Sequence, residues 1–161
     1  MGLNASVYCD CYEKGRLRTR PPDGVSLYVA SNGALECDSE HMPFDAVLAF
    51  GKWQAFSACE HKRSILLHHR LGNIALIALL RSEFQREPGR FPILLTKVIY
   101  SGTHACDYLT SETVPALQRE LELLADFRCS TREADEFMAQ FRAQMLELAT
   151  TALSVAKPIA F

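Results

Sequence analysis

Two short motifs place metal-binding side chains close together in the sequence. The first is Cys9-Asp10-Cys11, and the second is Cys59-Glu60-His61. Zinc takes about four thiolate or imidazole ligands at tetrahedral angles, and three cysteines with one histidine form one of its structural ligand sets. Side chains two residues apart on a strand point the same way, so one ion could contact both Cys9 and Cys11.

The same cysteines also have a packing explanation. Apolar side chains alternate along the first segment, and the two cysteines continue one face of it: Leu3, Ala5, Val7, Cys9, Cys11. Free cysteine is among the most buried residue types. Because neither motif has the spacing of common zinc modules, we favour core packing, expect the sulfur and imidazole groups to lie apart, and predict no cofactor. A metal site formed by Cys9, Cys11, Cys59 and His61 is the alternative.

A third motif, His104-Ala105-Cys106-Asp107, follows a strand-like run and precedes a helix. A nucleophilic cysteine needs a nearby base or a helix N-terminus to stabilise its thiolate. The base is usually distant in sequence, however. We therefore expect His104 and Asp107 to form a polar turn, and we predict that the protein is not an enzyme.

Two charged groups complete the candidates. The basic group lies before a helix start and suits an anionic partner or a solvated strand end: His61, Lys62, Arg63, His68, His69, Arg70. The acidic group lies on two C-terminal helices and is typical of a solvated face or of a surface for a cationic protein: Glu112, Glu120, Glu122, Asp126, Glu133, Asp135, Glu136, Glu147.

Periodicity predicts the elements that position these side chains. We expect strands over residues 3–11, 64–69 and 93–100, and a hairpin turning at Asn32-Gly33. Four helices are predicted, over residues 44–59 and 72–86, from Thr113, whose position is set by Pro115, and from the capping box that begins at Ser130. The apolar contacts expected of the first helix are Phe44, Val47, Leu48, Trp53 and Phe56. The last helix carries an apolar stripe at helical spacing: Ala134, Phe137, Met138, Phe141, Met145, Leu148, Ala152. The order of the elements indicates an α+β sandwich with a small mixed sheet, in one domain over residues 1–161. We expect the apolar tail, residues 158–161, to dock onto the body.

Composition narrows the function classes. The chain has 161 residues, of which 48% are hydrophobic, and a net charge of -2, so no global field attracts nucleic acid. The longest apolar run, IALIALL, is too short to cross a bilayer. Without a signal peptide at the N-terminus, the six cysteines are expected to be free thiols. We predict a cytoplasmic protein with no nucleic-acid or membrane partner.

The segment YSGTHACDYLTSETVPALQREL, with the MGL start, resembles the C-terminal half and the first strand of small bacterial immunity proteins of polymorphic toxin systems. The two Cys/His motifs are not part of that pattern. The resemblance implies a cytoplasmic binder that neutralises a cognate protein toxin by stoichiometric docking. The partner-binding residues that we predict on this basis are Ser101, His104, Asp107, Tyr108, Glu112 and Arg70.

Overall fold

A four-stranded antiparallel sheet forms one layer of the computed structural model, which describes residues 2–100, 104 and 107–161. Its strands are β1 (Gly2–Tyr8), β4 (Ile65–Asn73), β5 (Tyr108–Leu109) and β6 (Ile159–Ala160). Their order in the sheet is β4-β1-β6-β5. The apolar C-terminal tail therefore docks as predicted, because β6 pairs with both β1 and β5.

Helices cover one face of this sheet and bury most of the core. They are α2 (Ile74–Phe84), α3 (Val114–Leu123) and α4 (Arg132–Val155). The helical spacing predicted for α4 is confirmed, since Phe141, Met145 and Leu148 are fully buried against the sheet. The predicted α+β class is confirmed, and all strand pairs among the described residues are antiparallel.

A smaller unit, the hairpin lobe, lies between β1 and β4 in sequence. It consists of β2 (Leu27–Val29), β3 (Leu35–Cys37) and α1 (Phe44–Phe56). The hairpin turns at the predicted Asn32-Gly33, where Gly33 has φ 88° and Asn32 Oδ1 accepts the Ala34 N–H. The lobe has its own small core, which is separate from the main one: Leu35, Cys37, Phe50, Trp53, Ala58.

Several sequence predictions are corrected. Residues 93–100 do not form a strand: Leu94–Val98 is a π-helical turn, because the Glu120 carboxylate accepts the backbone N–H groups of Ile93 and Leu94. The α4 N-cap is Thr131 rather than Ser130, whose hydroxyl bonds Glu83 instead.

The apolar face predicted for α1 is also wrong in part. Trp53 is buried with Phe50, but Phe44, Leu48 and Phe56 point to solvent. Among the helices of the described residues, none has the length and apolar character needed to cross a membrane.

Candidate metal centre

The backbone brings the two Cys/His motifs together at the end of β1. The Cys9 N–H donates to the Ser64 carbonyl at 2.8 Å, which fixes the end of β1 beside the turn that leads into β4. In that turn Arg63 and Ser64 both adopt left-handed backbone conformations, with φ 56° and 58°. Two successive non-glycine residues in this region carry conformational strain, which proteins tolerate mainly where the surrounding contacts require it.

Four potential ligand atoms converge at this point. The three Sγ atoms of Cys9, Cys11 and Cys59 and one ring nitrogen of His61 all lie within 4.8 Å of one another. The Sγ atoms of Cys9 and Cys59 are 3.7 Å apart, and the His61 Nδ1 lies 3.5 Å from Cys11 Sγ and 4.0 Å from Cys59 Sγ. The expectation that these sulfur and imidazole groups lie apart is therefore wrong.

Two of these separations, 3.7 and 3.5 Å, match those of a tetrahedral zinc site, and the third, 4.0 Å, slightly exceeds them. With Zn–S bonds of about 2.3 Å and Zn–N bonds of about 2.0–2.1 Å, tetrahedral angles place neighbouring ligand atoms roughly 3.5–3.8 Å apart. A disulfide would instead require about 2.05 Å between two sulfurs, and all three cysteines are free. The spacing of the ligand atoms thus suits one small ion at the centre of the group.

Burial sets the electrostatics of the cluster. Cys9, Cys11 and Cys59 are buried, and the His61 side chain is 23% exposed. Burial raises the pKa of the Cys9 thiol to about 12 and also raises the pKa of Cys11. The charge of Cys59 acts in the same direction on both pKa values, so a cation between the sulfurs would favour the thiolates of Cys9 and Cys11.

Positive side chains lie beside the cluster. Arg16 favours the Cys11 thiolate, opposing the effect of burial on the pKa of Cys11. Lys14 and Arg16 also pair with the buried Asp10 carboxylate and hold its pKa below the ordinary value. A zinc ion with three thiolates and one neutral imidazole has a net charge of -1, so this basic pair would offset it.

The cluster also joins two parts of the molecule. Its cysteines, with Leu66, form a third small core group, distinct from the main core and from that of the hairpin lobe. Cys59 follows α1 by three residues, and the Arg18 N–H donates to the Ala58 carbonyl next to it. Four protein ligands saturate a tetrahedral ion and leave no position for water or substrate, which is the pattern of structural zinc sites.

The loop that contains His104 is organised differently. His104 Nδ1 lies 3.7 Å from the Asp107 carboxylate, and its ring packs at a tilt of 53° against Tyr100, with centroids 4.4 Å apart. The Tyr100 hydroxyl also donates to Asp107. Ser101 and Cys106 lie outside the described residues, so the predicted thiol and the predicted binding serine have no structural description.

The other predicted partner-binding residues separate into two places. Tyr108, in β5, and Glu112, just before α3, are exposed on one side of the sheet. Arg70 is exposed on β4, which is the opposite edge strand. With strands about 4.8 Å apart, two intervening strands separate these edges by about 14 Å.

In both the basic and the acidic group, some side chains are exposed to solvent and others are paired or buried. On β4, His68 accepts or donates a hydrogen bond with Ser6, while His69 pairs with Glu147 of α4 at 2.7 Å. Most of the acidic group is exposed as expected, but Glu120 is buried at the start of the π-helical turn. Glu83 is also buried, although the sequence did not single it out as a functional residue. No local sequence pattern distinguishes it from a solvent-exposed glutamate on a helix.

No protein-family model, curated protein or solved structure matches this chain.

Proposed function

We propose that this protein binds one zinc ion per chain through Cys9, Cys11, Cys59 and His61, and that the ion holds the hairpin lobe on the main sheet. The observation that carries this proposal is the convergence of four ligand atoms within 4.8 Å of one another. The donors come from two segments fifty residues apart. An ion that ties them together closes the chain around the whole lobe.

The ligand set favours zinc among the common metals. Thiolates select zinc, copper(I) or iron–sulfur clusters, whereas calcium and magnesium require oxygen ligands. Three sulfurs and one imidazole nitrogen in a compact tetrahedral arrangement are typical of structural zinc. Because all four positions are filled by protein, the ion supports folding rather than catalysis.

Metal analysis of the purified protein tests this proposal. Wild-type protein should hold one zinc per chain after dialysis against a weak chelator, and Cys59→Ala should hold none under the same conditions. Cys37→Ala is the matched control, because Cys37 is also buried but lies in the lobe core outside the ligand group. Zinc-free wild-type protein that cannot be loaded, or equal zinc in Cys59→Ala, would contradict the assignment.

Docking on a protein partner is a second proposal, supported by the resemblance to immunity proteins and by two exposed side chains. Tyr108 is 41% exposed, and Glu112 is exposed close to it in sequence. A structural zinc site is compatible with such a role, since a binder needs a fixed surface and no reactive group. Affinity capture from the native host should recover a toxin domain at a one-to-one ratio, with less recovered by Tyr108→Ala. Recovery of no toxin would count against this proposal and leave the zinc proposal intact.

A further inference from the structure

The outer face of α1 is apolar and exposed. Phe44 is 74% exposed, Phe56 is 78% exposed and Leu48 is 47% exposed. Isolated apolar side chains on a surface are ordinary, but contiguous ones mark interaction sites. These three lie on one helix of thirteen residues.

Helical geometry places Phe44, Leu48 and Gly51 in one stripe. At 100° per residue these three lie within about 60° of one another, on the side opposite to Trp53, which points into the lobe core. Phe56 lies about 120° from Phe44, beside the stripe rather than on it. Phe44 and Gly51 are separated along the helix by about 10 Å. Near the middle of α1, Gly51 has open space around it, since a Cβ added there would meet no atom within 4 Å. Another backbone can therefore approach α1 closely at its centre.

Charge is divided between the two ends of this face. Exposed acidic side chains surround the beginning of α1: Asp38, Glu40, Asp45. Four exposed basic side chains surround its end and outnumber the exposed Glu60 there: Arg18, Lys52, Lys62, Arg63. Among the described residues, these four basic side chains have no acidic partner within ion-pair distance. Arg18 belongs to the end of α1 because its N–H bonds the Ala58 carbonyl.

We propose that α1 pairs in antiparallel fashion with α1 of a second copy of this chain, forming a two-fold symmetric dimer. A two-fold axis beside Leu48 places Phe44 of each copy over Gly51 of the other, and it brings Asp45 of each copy near Lys52 of the other. It also places the acidic end of each helix against the basic end of the other. Only a self-complementary patch satisfies an isologous interface, and this face is complementary to itself in both charge and shape.

The charge pattern favours a second copy over other occupants. An anionic partner would be attracted to the basic end but repelled by Asp38, Glu40 and Asp45 at the other end. A cationic partner would be attracted to the acidic end but repelled by the basic side chains at the other end. In the antiparallel pair both ends find an opposite charge, and the apolar stripe is covered along its whole length.

The size of the patch indicates a reversible dimer. At about 200 Å² per side chain, the exposed parts of Phe44 and Leu48 in a pair amount to roughly 500 Å². Stable interfaces bury about 1,200 Å² or more, so the remaining area must come from the helix backbone and its flanks. We therefore expect dissociation in the micromolar range.

Sedimentation equilibrium of the metal-loaded protein tests this proposal. The mass should rise from 18.0 kDa towards about twice that value as concentration increases from roughly 1 to 200 µM. Gly51→Leu should weaken association at least tenfold, because it fills the close approach. In the monomer the same side chain meets open space and so leaves the fold intact. Gly89→Leu is the matched control, since Gly89 also has open surroundings but lies outside α1.

A charge exchange tests the direction of pairing. Asp45→Lys and Lys52→Glu should each weaken the dimer about threefold to tenfold, since exposed ion pairs contribute modestly. The double variant, in which the two charges are exchanged, should associate like wild type. A mass of 18.0 kDa at every concentration would overturn the proposal. A dimer that Gly51→Leu leaves unchanged, or that the double exchange fails to restore, would overturn it as well. The proposed zinc site is unaffected by any of these outcomes, since zinc content is measured separately on the same samples.

Discussion

Buffered zinc provides a quantitative test of the structural role of the metal. If one ion binds the folded chain and does not bind the unfolded chain, the free energy of unfolding rises by RT ln(1 + [Zn]/Kd). Above the dissociation constant, each tenfold increase in free zinc adds about 1.4 kcal/mol. For a chain of this size one kcal/mol corresponds to about 2–4 °C in Tm. The melting temperature should therefore rise by roughly 3–6 °C for every tenfold increase in free zinc.

Trp53 gives this experiment a local signal. It is the only tryptophan in the chain, it is buried in the hairpin lobe, and its indole N–H donates to Thr19 Oγ1 at 2.9 Å. We expect its fluorescence to change when zinc is removed by a strong chelator and to recover when zinc is added back. A melting temperature that stays constant across several decades of free zinc would refute the argument.

Matched variants separate metal binding from packing in this assay. Cys59→Ala should abolish the dependence on zinc, because it leaves three ligands. Cys37→Ala should lower the melting temperature at every zinc concentration but keep the same slope, since Cys37 contributes only to the lobe core. Identical slopes in the two variants would show that Cys59 does not bind the ion.

Two further predictions concern side chains outside the metal centre. Glu83→Gln should lower stability by about 1.5–3 kcal/mol at pH 7, because the buried carboxylate accepts hydrogen bonds from the Ser130 backbone and from Arg86. Burial opposes ionisation of Glu83, but these hydrogen bonds outweigh burial and lower the pKa of Glu83 below its ordinary value of 4.5. The difference in unfolding free energy between wild type and Glu83→Gln, measured in denaturant titrations, should therefore be largest above pH 4.5. It should fade as the pH falls through the pKa of Glu83 in the folded protein. A difference that grew on acidification would contradict this sign. Gly33→Ala should lower the free energy of unfolding by about 1 kcal/mol or more in the same titrations. The reason is that Gly33 has φ 88° and that a Cβ there would lie 3.1 Å from the Pro158 ring. An unchanged denaturation midpoint would refute this strain argument.

The sequence predicted correctly those elements that are held by hydrogen bonds between residues close together in the chain. The Asn32-Gly33 turn formed where predicted, because its φ and its side-chain hydrogen bond come from the turn residues themselves. Asn73 likewise caps α2 by accepting the Leu76 N–H. Residues 93–100 were misassigned because an apolar run suits either a strand or a buried helix. Glu120, 27 residues from Ile93, decides between them by accepting its N–H.

The metal centre was likewise predictable only in part, because part of it depends on contacts between residues far apart in the chain. Residue types could be read from the sequence, and they supplied the alternative of a metal site. The strand that was expected to align Cys9 with Cys11 ends at Tyr8, however, so their convergence does not come from strand alternation. The approach of Cys59 and His61 could not be read from the sequence either, because it depends on the bond from the Cys9 N–H to Ser64 and on the left-handed residues before β4. Both are tertiary features without a local sequence signal. The solvent-facing side of α1 was mispredicted for a related reason, since an apolar residue pattern does not reveal which face the core will cover.

X-ray absorption at the zinc edge of the loaded protein tests the central claim most directly. We predict a first shell of three sulfurs at about 2.3 Å and one nitrogen at about 2.0–2.1 Å. His61→Cys should convert this shell to four sulfurs, while Cys37→Ala should leave it unchanged. A shell made mainly of oxygen, or one that keeps its nitrogen in His61→Cys, would contradict the assignment of these four residues as the ligands.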